Sequence, residues 1–504
     1  MSRRRKLLLA LGAAFGALIL TTWIYHWHLK SINEAYLAEL AARGEPLTLA
    51  QVVPPAVPPA ENSAETFLRA ADLLAADTSL LQTNNVYAMQ MAAPGKALVC
   101  SQQSESAGSS STNSWAAVAR ARAQNQPALE LLQQLNDHPR LHFRINYESG
   151  VADLNFTNLH LVELRKSVHF LSAASVIALH EGDVAAAVQN QRTMLVLVNA
   201  MQDQRLVISE LVRMAMLHSA LGSCWEILQT PGVAESQLAA LQHDWERLEF
   251  IQALQNALAM ERMAGEISLT QWRGSATSLR QYLGLGKNAR LSMGVPEEPE
   301  TLLAKTVTSA KVFLWRFWWS YPDELRALKG YQALLGASRF TVTNTAFLPA
   351  ITHQQAALDE LQISQLSDSF STLLFGDTDF HSMLSQSIVT LSGMINKVMT
   401  AETARQMTVT AIALQRFKLA HGRFPDHLAD LAPEFLAVVP PDPVAGRPLR
   451  YRLQADGNFL LYSIGANGVD DGGNPAHAGP GDSKTFYWLD HYALDWVWPQ
   501  PVAR

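Results

Sequence analysis

Residues 461–473, LYSIGANGVDDGG, hold the side chains best placed to bind an ion. An apolar run stops abruptly and a loop dense in Gly, Asn and Asp follows. Calcium takes about six to eight oxygens at about 2.3–2.6 Å, drawn from carboxylates, amides and backbone carbonyls. Asn467, Asp470 and Asp471 supply side-chain oxygens, Ser463 adds a hydroxyl just upstream, and Asp495 offers a further carboxylate before the last strand. Glycine lets backbone carbonyls turn inward, and adjacent carboxylates repel unless a cation or solvent screens them. On spacing alone, a calcium loop and a solvated Asx/Gly turn that needs no ion stand equal.

Little else in the chain points to chemistry. His180-Glu181 lacks the second His of a zinc-protease motif, and there is no G-x-S-x-G elbow, phosphate loop or paired C-x-x-C. Gly284-Leu285-Gly286-Lys287 is a fragment without the needed spacing. His26 and His28 border an apolar segment, where His seldom binds metal. Glu210, Arg213, Glu261 and Arg262 fall on expected helices and read as ion pairs inside a helical body. Cys100 and Cys224 read as buried free thiols more readily than as a disulfide. The pattern favours a protein that is not an enzyme, with an enzyme whose site lies in a helical groove as the remoter alternative.

The elements that must position these residues are set by composition and periodicity. A chain of 504 residues suggests two or three domains, and with 48% hydrophobic residues and 12 Trp it can bury a sizeable core. Its charged fraction of 17% lies below the roughly 25% of soluble domains, and a net charge of −6 gives no reason to expect a nucleic-acid partner.

The first 30 residues, MSRRRKLLLALGAAFGALILTTWIYHWHLK, contain a run of 23 between Lys6 and Lys30 without Asp, Glu, Lys or Arg. A helix of about 20 residues crosses the hydrocarbon layer. The run reads as an uncleaved transmembrane anchor, since a signal peptide has a shorter apolar region and a small-x-small site. Arg3, Arg4, Arg5 and Lys6 would stay in the cytoplasm by the positive-inside rule, and Trp23, Tyr25 and Trp27 would sit at the far interface. The bulk of the chain then faces the periplasm. Residues 31–61 read as a stalk and linker in which VVPPAVPPA, at 52–60, lifts the body off the membrane.

Residues 62–400 read as an irregular helical array. Asn62 begins a helix with Glu65 as capping-box partner, and residues 101–114 form a polar low-complexity insertion. Leu161, Leu164, Val168, Leu171, Ser175 and Ala178 make one helical stripe. Gly182 ends that helix and Asp183 caps the next, whose stripe is Val184, Ala187, Val188, Gln191, Leu195 and Val198. The junction HEGDVAAAV is tetratricopeptide-like, and stacked helix pairs of this kind imply a protein partner. In KVFLWRFWWSYPDEL, Phe313–Trp319 reads either as core or as an interfacial aromatic belt.

Residues 401–504 read as a small α+β module. A helix with Val409, Ile412, Ala413, Phe417 and Ala420 on its inner stripe ends at Gly422 and Pro425. Two β-like runs, Leu449–Leu453 and Asn458–Ser463, flank the Asp456-Gly457 turn. Then come the opening loop and a last strand in YALDWVWP. This order resembles the globular part of the major pseudopilin of bacterial type II secretion. The matching residues are Gly422, Arg423, Phe424 and Pro425; Asp442, Pro443, Gly446, Pro448 and Tyr451; and Tyr462 to Gly468. The resemblance implies a pseudopilin-like fold over about 100 residues and tips the loop towards calcium. Asn467 replaces the family's loop Asp, and a longer insert separates Gly473 from Tyr492. The family's processing signal and Glu-bearing first helix are absent, which argues against a polymerising subunit. With its anchor, helical middle and tail, the whole chain also resembles a group of uncharacterised bacterial envelope proteins. These readings converge on a membrane-anchored scaffold or binding protein, with an accessory part in a secretion or pilus-like machine as the alternative.

Overall fold

The computed structural model describes residues 3–75, 90–93, 96–98, 120, 122–149, 160–282, 302–363, 382–476 and 493–501. The readings made for residues 101–114, Cys100 and Gly284–Lys287 fall outside them. The molecule is mainly helical with small sheets, whose first strands are β1 (Gln90–Ala93), β2 (Lys96–Leu98), β3 (Pro441–Asp442) and β4 (Arg447–Pro448). Helix α1 (Arg3–Ala42) carries the apolar run and continues past it. Among the described residues no helix is long and apolar enough to cross a membrane.

The segment after α1 does not stand off the body. Glu45 and Val52 are buried, and Arg205 donates to the Val52 carbonyl at 2.7 Å. A short helix, α2 (Leu49–Val52), and a 3-10 turn (Pro59–Glu61) break the Pro-rich stretch. The spacer expected over 52–60 is thus docked, because its flanks carry groups that the body buries. Nor does Asn62 open a capping box with Glu65. Helix α3 (Ala64–Ala75) starts two residues later; the Asn62 side-chain oxygen accepts from its first N–H, of Ala64, at 3.1 Å, and the same side chain also pairs with the backbone of His142, at 3.0 Å to its carbonyl and 2.9 Å from its N–H.

Next come α4 (Gln126–Gln133), α5 (Leu161–His180), α6 (Val184–Ala200), α7 (Val207–Gln229), α8 (Glu235–Glu246) and α9 (Ile251–Gly274). α5 and α6 form a helix hairpin closed at Gly182, whose φ of +81° favours glycine, and Asp183 caps α6 by accepting from Ala186 N–H at 2.9 Å. The second half holds α10 (Leu302–Leu314), a π-helical turn (Trp315–Trp319), α11 (Ser320–Asn344), α12 (Phe347–Glu360), α13 (Ser385–Ser392) and α14 (Met394–His421).

The aromatic run divides. Trp315 is fully buried, while Phe313, Phe317 and Trp318 are exposed. α14 crosses the boundary expected at residue 401 and is buried on nearly every face from Met394 to Leu414. Its Thr403, Thr408 and Thr410 hydroxyls donate to carbonyls four residues back, at 2.7–2.8 Å, which satisfies them without water. One apolar core therefore runs from Phe67 on α3 through Trp225 on α7 and Ile412 on α14 to Trp496 and Trp498 in the tail.

Burial also pushes the His169 and His218 imidazoles below their ordinary range. At His169 the charge of Arg165 adds to it, and at His218 it outweighs a hydrogen bond to Met214. The unfolded chain therefore takes up these protons first as pH falls. Their stabilisation is complete above about pH 6.5 and is lost as pH falls from there towards the folded values. The urea midpoint of wild type should fall more steeply over that window than that of His218→Gln, which has no proton to take up.

Candidate functional site

The tail builds its site on a three-stranded sheet. β5 (Arg450–Leu453) and β6 (Phe459–Ser463) form an antiparallel hairpin with Tyr451 opposite Leu461, and β7 (Trp496–Val497) pairs with the other edge of β6. The hairpin turns at Gly457 (φ +82°), with Asp456 accepting from Asn458 N–H at 2.9 Å. All five residues of β6 are buried. One face meets the main core; on the other, Leu460, Tyr462 and Val497 form a small cluster.

The loop after β6 folds back over that second face. Gly473 has φ +82°, and a Cβ there would lie 2.8 Å from Leu460 and 3.3 Å from Tyr462. At Gly465 a Cβ would come within 2.4 Å of the Leu494 carbonyl. These contacts explain the glycine density at both positions, with or without an ion.

The five candidate ligands do not gather in one place. Asp495 is buried, and its carboxylate accepts from the N–H groups of Gly473 at 2.8 Å, Asn474 at 3.0 Å and Asp471 at 3.4 Å. Asn467 donates to Asp471 at 3.0 Å and accepts from Val469 N–H. These three residues gather in one loop. Asp470 instead turns to the hairpin, accepting from Arg450 at 2.8 Å and from the Tyr462 hydroxyl at 2.9 Å. Ser463 points to the opposite side, where its hydroxyl donates to Asp442 at 2.8 Å.

The electrostatics follow this division. Burial raises the Asp495 carboxyl above its usual range, against the three backbone donors, and the Asp471 charge raises it further. The Arg450 bond holds Asp470 below its usual range, while burial and Asp470 push the Tyr462 hydroxyl up to about 12. Asp442 was read only as part of the Asp-Pro turn, yet it anchors the site's inner wall. It accepts from Ser463, from Ile464 N–H at 3.2 Å and from Val444 N–H at 3.0 Å. The last bond is an Asx turn, which an Asp two residues before the next free N–H could have signalled.

No group of three or more His, Cys, Asp or Glu poised to hold a metal occurs among the described residues. A calcium site can be built from two carboxylates with amide and backbone oxygens, and Asn467, Asp471 and Asp495 are oxygen donors of that kind.

Elsewhere, some charged side chains are buried as pairs and others against backbone groups. Glu210 and Arg213, both on α7, meet at 3.0 Å as expected. Arg262 does not pair with Glu261. It binds Glu45 at 3.3 Å, while Glu261 accepts from Val207 N–H at 3.3 Å. Burial raises Glu266, and the Glu324 carboxylate beside it raises it further. Cys224 is a buried free thiol, pushed up to about 12 by burial. A crevice of about 460 Å³ opens where the turn after α7 and the end of α14 meet the tail. Its walls include Leu228, Leu238, Leu419, Phe424 and Trp498, and Lys418 is its charged side chain. None of the buried carboxylates lines it. Compared with known proteins, the chain matches no family model, no curated protein and no solved structure.

Proposed function

We propose that the chain is a non-enzymatic, membrane-anchored envelope protein. Residues 7–29 enter the cytoplasmic membrane with the amino terminus inside, and the helical body faces the periplasm as a scaffold for a protein partner. The observation that carries this reading is the continuity of α1. It leads the 23-residue uncharged run directly into the body and is fixed there by Asn33, which donates to the Tyr321 carbonyl at 2.9 Å. The full chain should resist alkaline carbonate extraction, and protease should digest its body in spheroplasts but not in intact cells. Release into the carbonate supernatant would sink the anchor.

The partner's place in this reading is the 460 Å³ crevice, where Leu419 is exposed beside apolar walls. A photo-crosslinking residue at 419 should give one discrete adduct in cells, and an adduct-free result removes that face. The order of the tail, from the Gly422 corner through the hairpin to the 465–476 loop, supports a second reading as a pseudopilin-like module in a secretion or pilus-like machine. A pseudopilin in the adduct would decide for it.

Within the tail, the loop takes calcium through Asp471 and Asp495 with the Asn467 amide, leaving out Asp470 and Ser463. Asp471 pressing on a buried Asp495 supports this assignment. Calcium at about 100 times its Kd should stabilise the fold by about 2.7 kcal/mol, and Asp471→Ala should abolish the shift. Identical melting in calcium and in chelator rules the ion out.

A further inference from the structure

Every Trp, Tyr and Phe that is exposed among the described residues lies in one of two stretches. Trp23, Tyr25 and Trp27 come from α1, and Phe313, Phe317 and Trp318 come from the end of α10 and the π turn. These two stretches lie almost three hundred residues apart in sequence, yet they touch. Tyr25 and Trp318 have ring centroids 6.1 Å apart, His26 and Phe317 5.9 Å, and Phe313 and Phe317 4.7 Å. A hydrogen bond from His26 Nδ1 to the Phe317 carbonyl, at 2.9 Å, fixes the turn against α1.

That bond sets a depth. The uncharged run of 23 residues is about 34 Å long as a helix, slightly more than the roughly 30 Å hydrocarbon layer. His26 precedes Lys30 by one helical turn, about 6 Å. A segment clamped to residue 26 therefore lies at the level of the last turn of the run. Further along, Asn33 reaches Tyr321 and Glu45 reaches Arg339. α11 thus runs beside α1 away from that level, and the π turn joins it to α10 there.

The surrounding charges suit lipid headgroups. Lys311 is exposed two residues from Phe313, where its stem can lie along apolar surface with the ammonium in the headgroups. Beyond Lys30, a crevice of about 320 Å³ between α1 and α11 is walled by Leu29, Ile32 and Leu325. Arg326, Lys329 and Glu360 also line it. Aromatic side chains with nearby cations are what a bilayer interface selects.

We infer that Phe313, Phe317 and Trp318 insert into the interface of the same bilayer that α1 enters, so that the body is held by two prongs at a fixed tilt. This rests on the reading of residues 7–29 as an anchor. The test uses the full chain in vesicles of mixed phosphatidylethanolamine and phosphatidylglycerol, with both native cysteines replaced by Ala. Nitroxide labels go at Phe313→Cys and Trp318→Cys, and at Leu20→Cys and Val438→Cys as references for the anchor and for the exposed tail. Collision with oxygen should exceed collision with a water-soluble nickel chelate several-fold at 313 and 318, as at 20, with the reverse at 438. Nickel access at 313 and 318 equal to that at 438 overturns the second prong. Protection from both reagents there means that protein covers the patch, which overturns it too. If position 20 is itself nickel-accessible, the anchor reading fails first, and the two failures are distinguished.

Discussion

Replacing Glu45 with Ala lowers the unfolding free energy by about 3–5 kcal/mol, the range for removing one partner of a buried ion pair. Glu45 sits in the segment that links α1 to the body, with its side chain 5% exposed. Arg262, from α9, is 2% exposed and donates to Glu45 at 3.3 Å and to the Pro46 carbonyl at 2.9 Å. Arg339, from α11, adds two bonds at 2.5 and 3.1 Å. Burial works to raise the Glu45 carboxyl, but the Arg339 hydrogen bond and the two positive charges outweigh it and hold the group below its usual range.

Without Glu45 the two arginines fare differently. Arg339 is 47% exposed and can turn to water, whereas Arg262 cannot. Most of the loss is thus the penalty of an uncompensated guanidinium. The double variant Glu45→Met/Arg262→Met should recover much of it, since apolar residues of similar volume often replace a buried pair at little net change. Denaturant midpoints measure both. The single variant should also open residues 43–53 to protease, because the knot holds that segment down. A loss below about 1 kcal/mol would give the pair the weight of a surface salt bridge and leave the docked segment without its anchor point.

This knot was invisible in the sequence for a simple reason. Glu45 and Arg262 are 217 positions apart, and nothing within a few residues of either points to the other. Local signals fared better. The helix ends around Gly182 and Gly422, the Asp183 cap and the Asp456-Gly457 hairpin could all be read because each is decided within a few residues. Asn62 does meet the first N–H of α3, but its bonds to His142, eighty positions away, could not be read. α13 takes its N-terminal acceptor from Asp323, whose carboxylate binds the Leu384 and Ser385 N–H groups at 2.8 and 2.9 Å.

α14 reads as a helix with one apolar stripe, which includes none of its threonines. Their hydroxyls are satisfied by their own helix, so they can be buried too. In the 465–476 loop, spacing and glycine density marked only a candidate segment. They could not show that Arg450, twenty residues upstream, takes Asp470 out of the set. Sequence patterns report what a residue can do locally, while a partner brought by the fold decides what it does.

The second large effect concerns the boundary expected at residue 401. Trp225→Ala should cost about 3–5 kcal/mol and loosen the tail as well as the array. Trp225 is fully buried on α7, and its indole N–H donates to the Pro499 carbonyl at 3.0 Å, between β7 and β8 (Gln500–Pro501). Gln242 on α8 likewise donates to the Phe435 carbonyl at 2.8 Å. Trp225→Phe keeps most of the apolar volume and strands the carbonyl, so it should cost about 1–3 kcal/mol. Hydrogen exchange at residues 496–501 should rise in both variants, more in the alanine. Two modules with separate cores would behave otherwise, with the array weakened and the tail amides unmoved. Since Phe67, Trp225, Ile412 and Trp496 belong to one apolar cluster, the array and the tail should unfold in a single step. Any ion held by the 465–476 loop would then stabilise the whole body and not the tail alone.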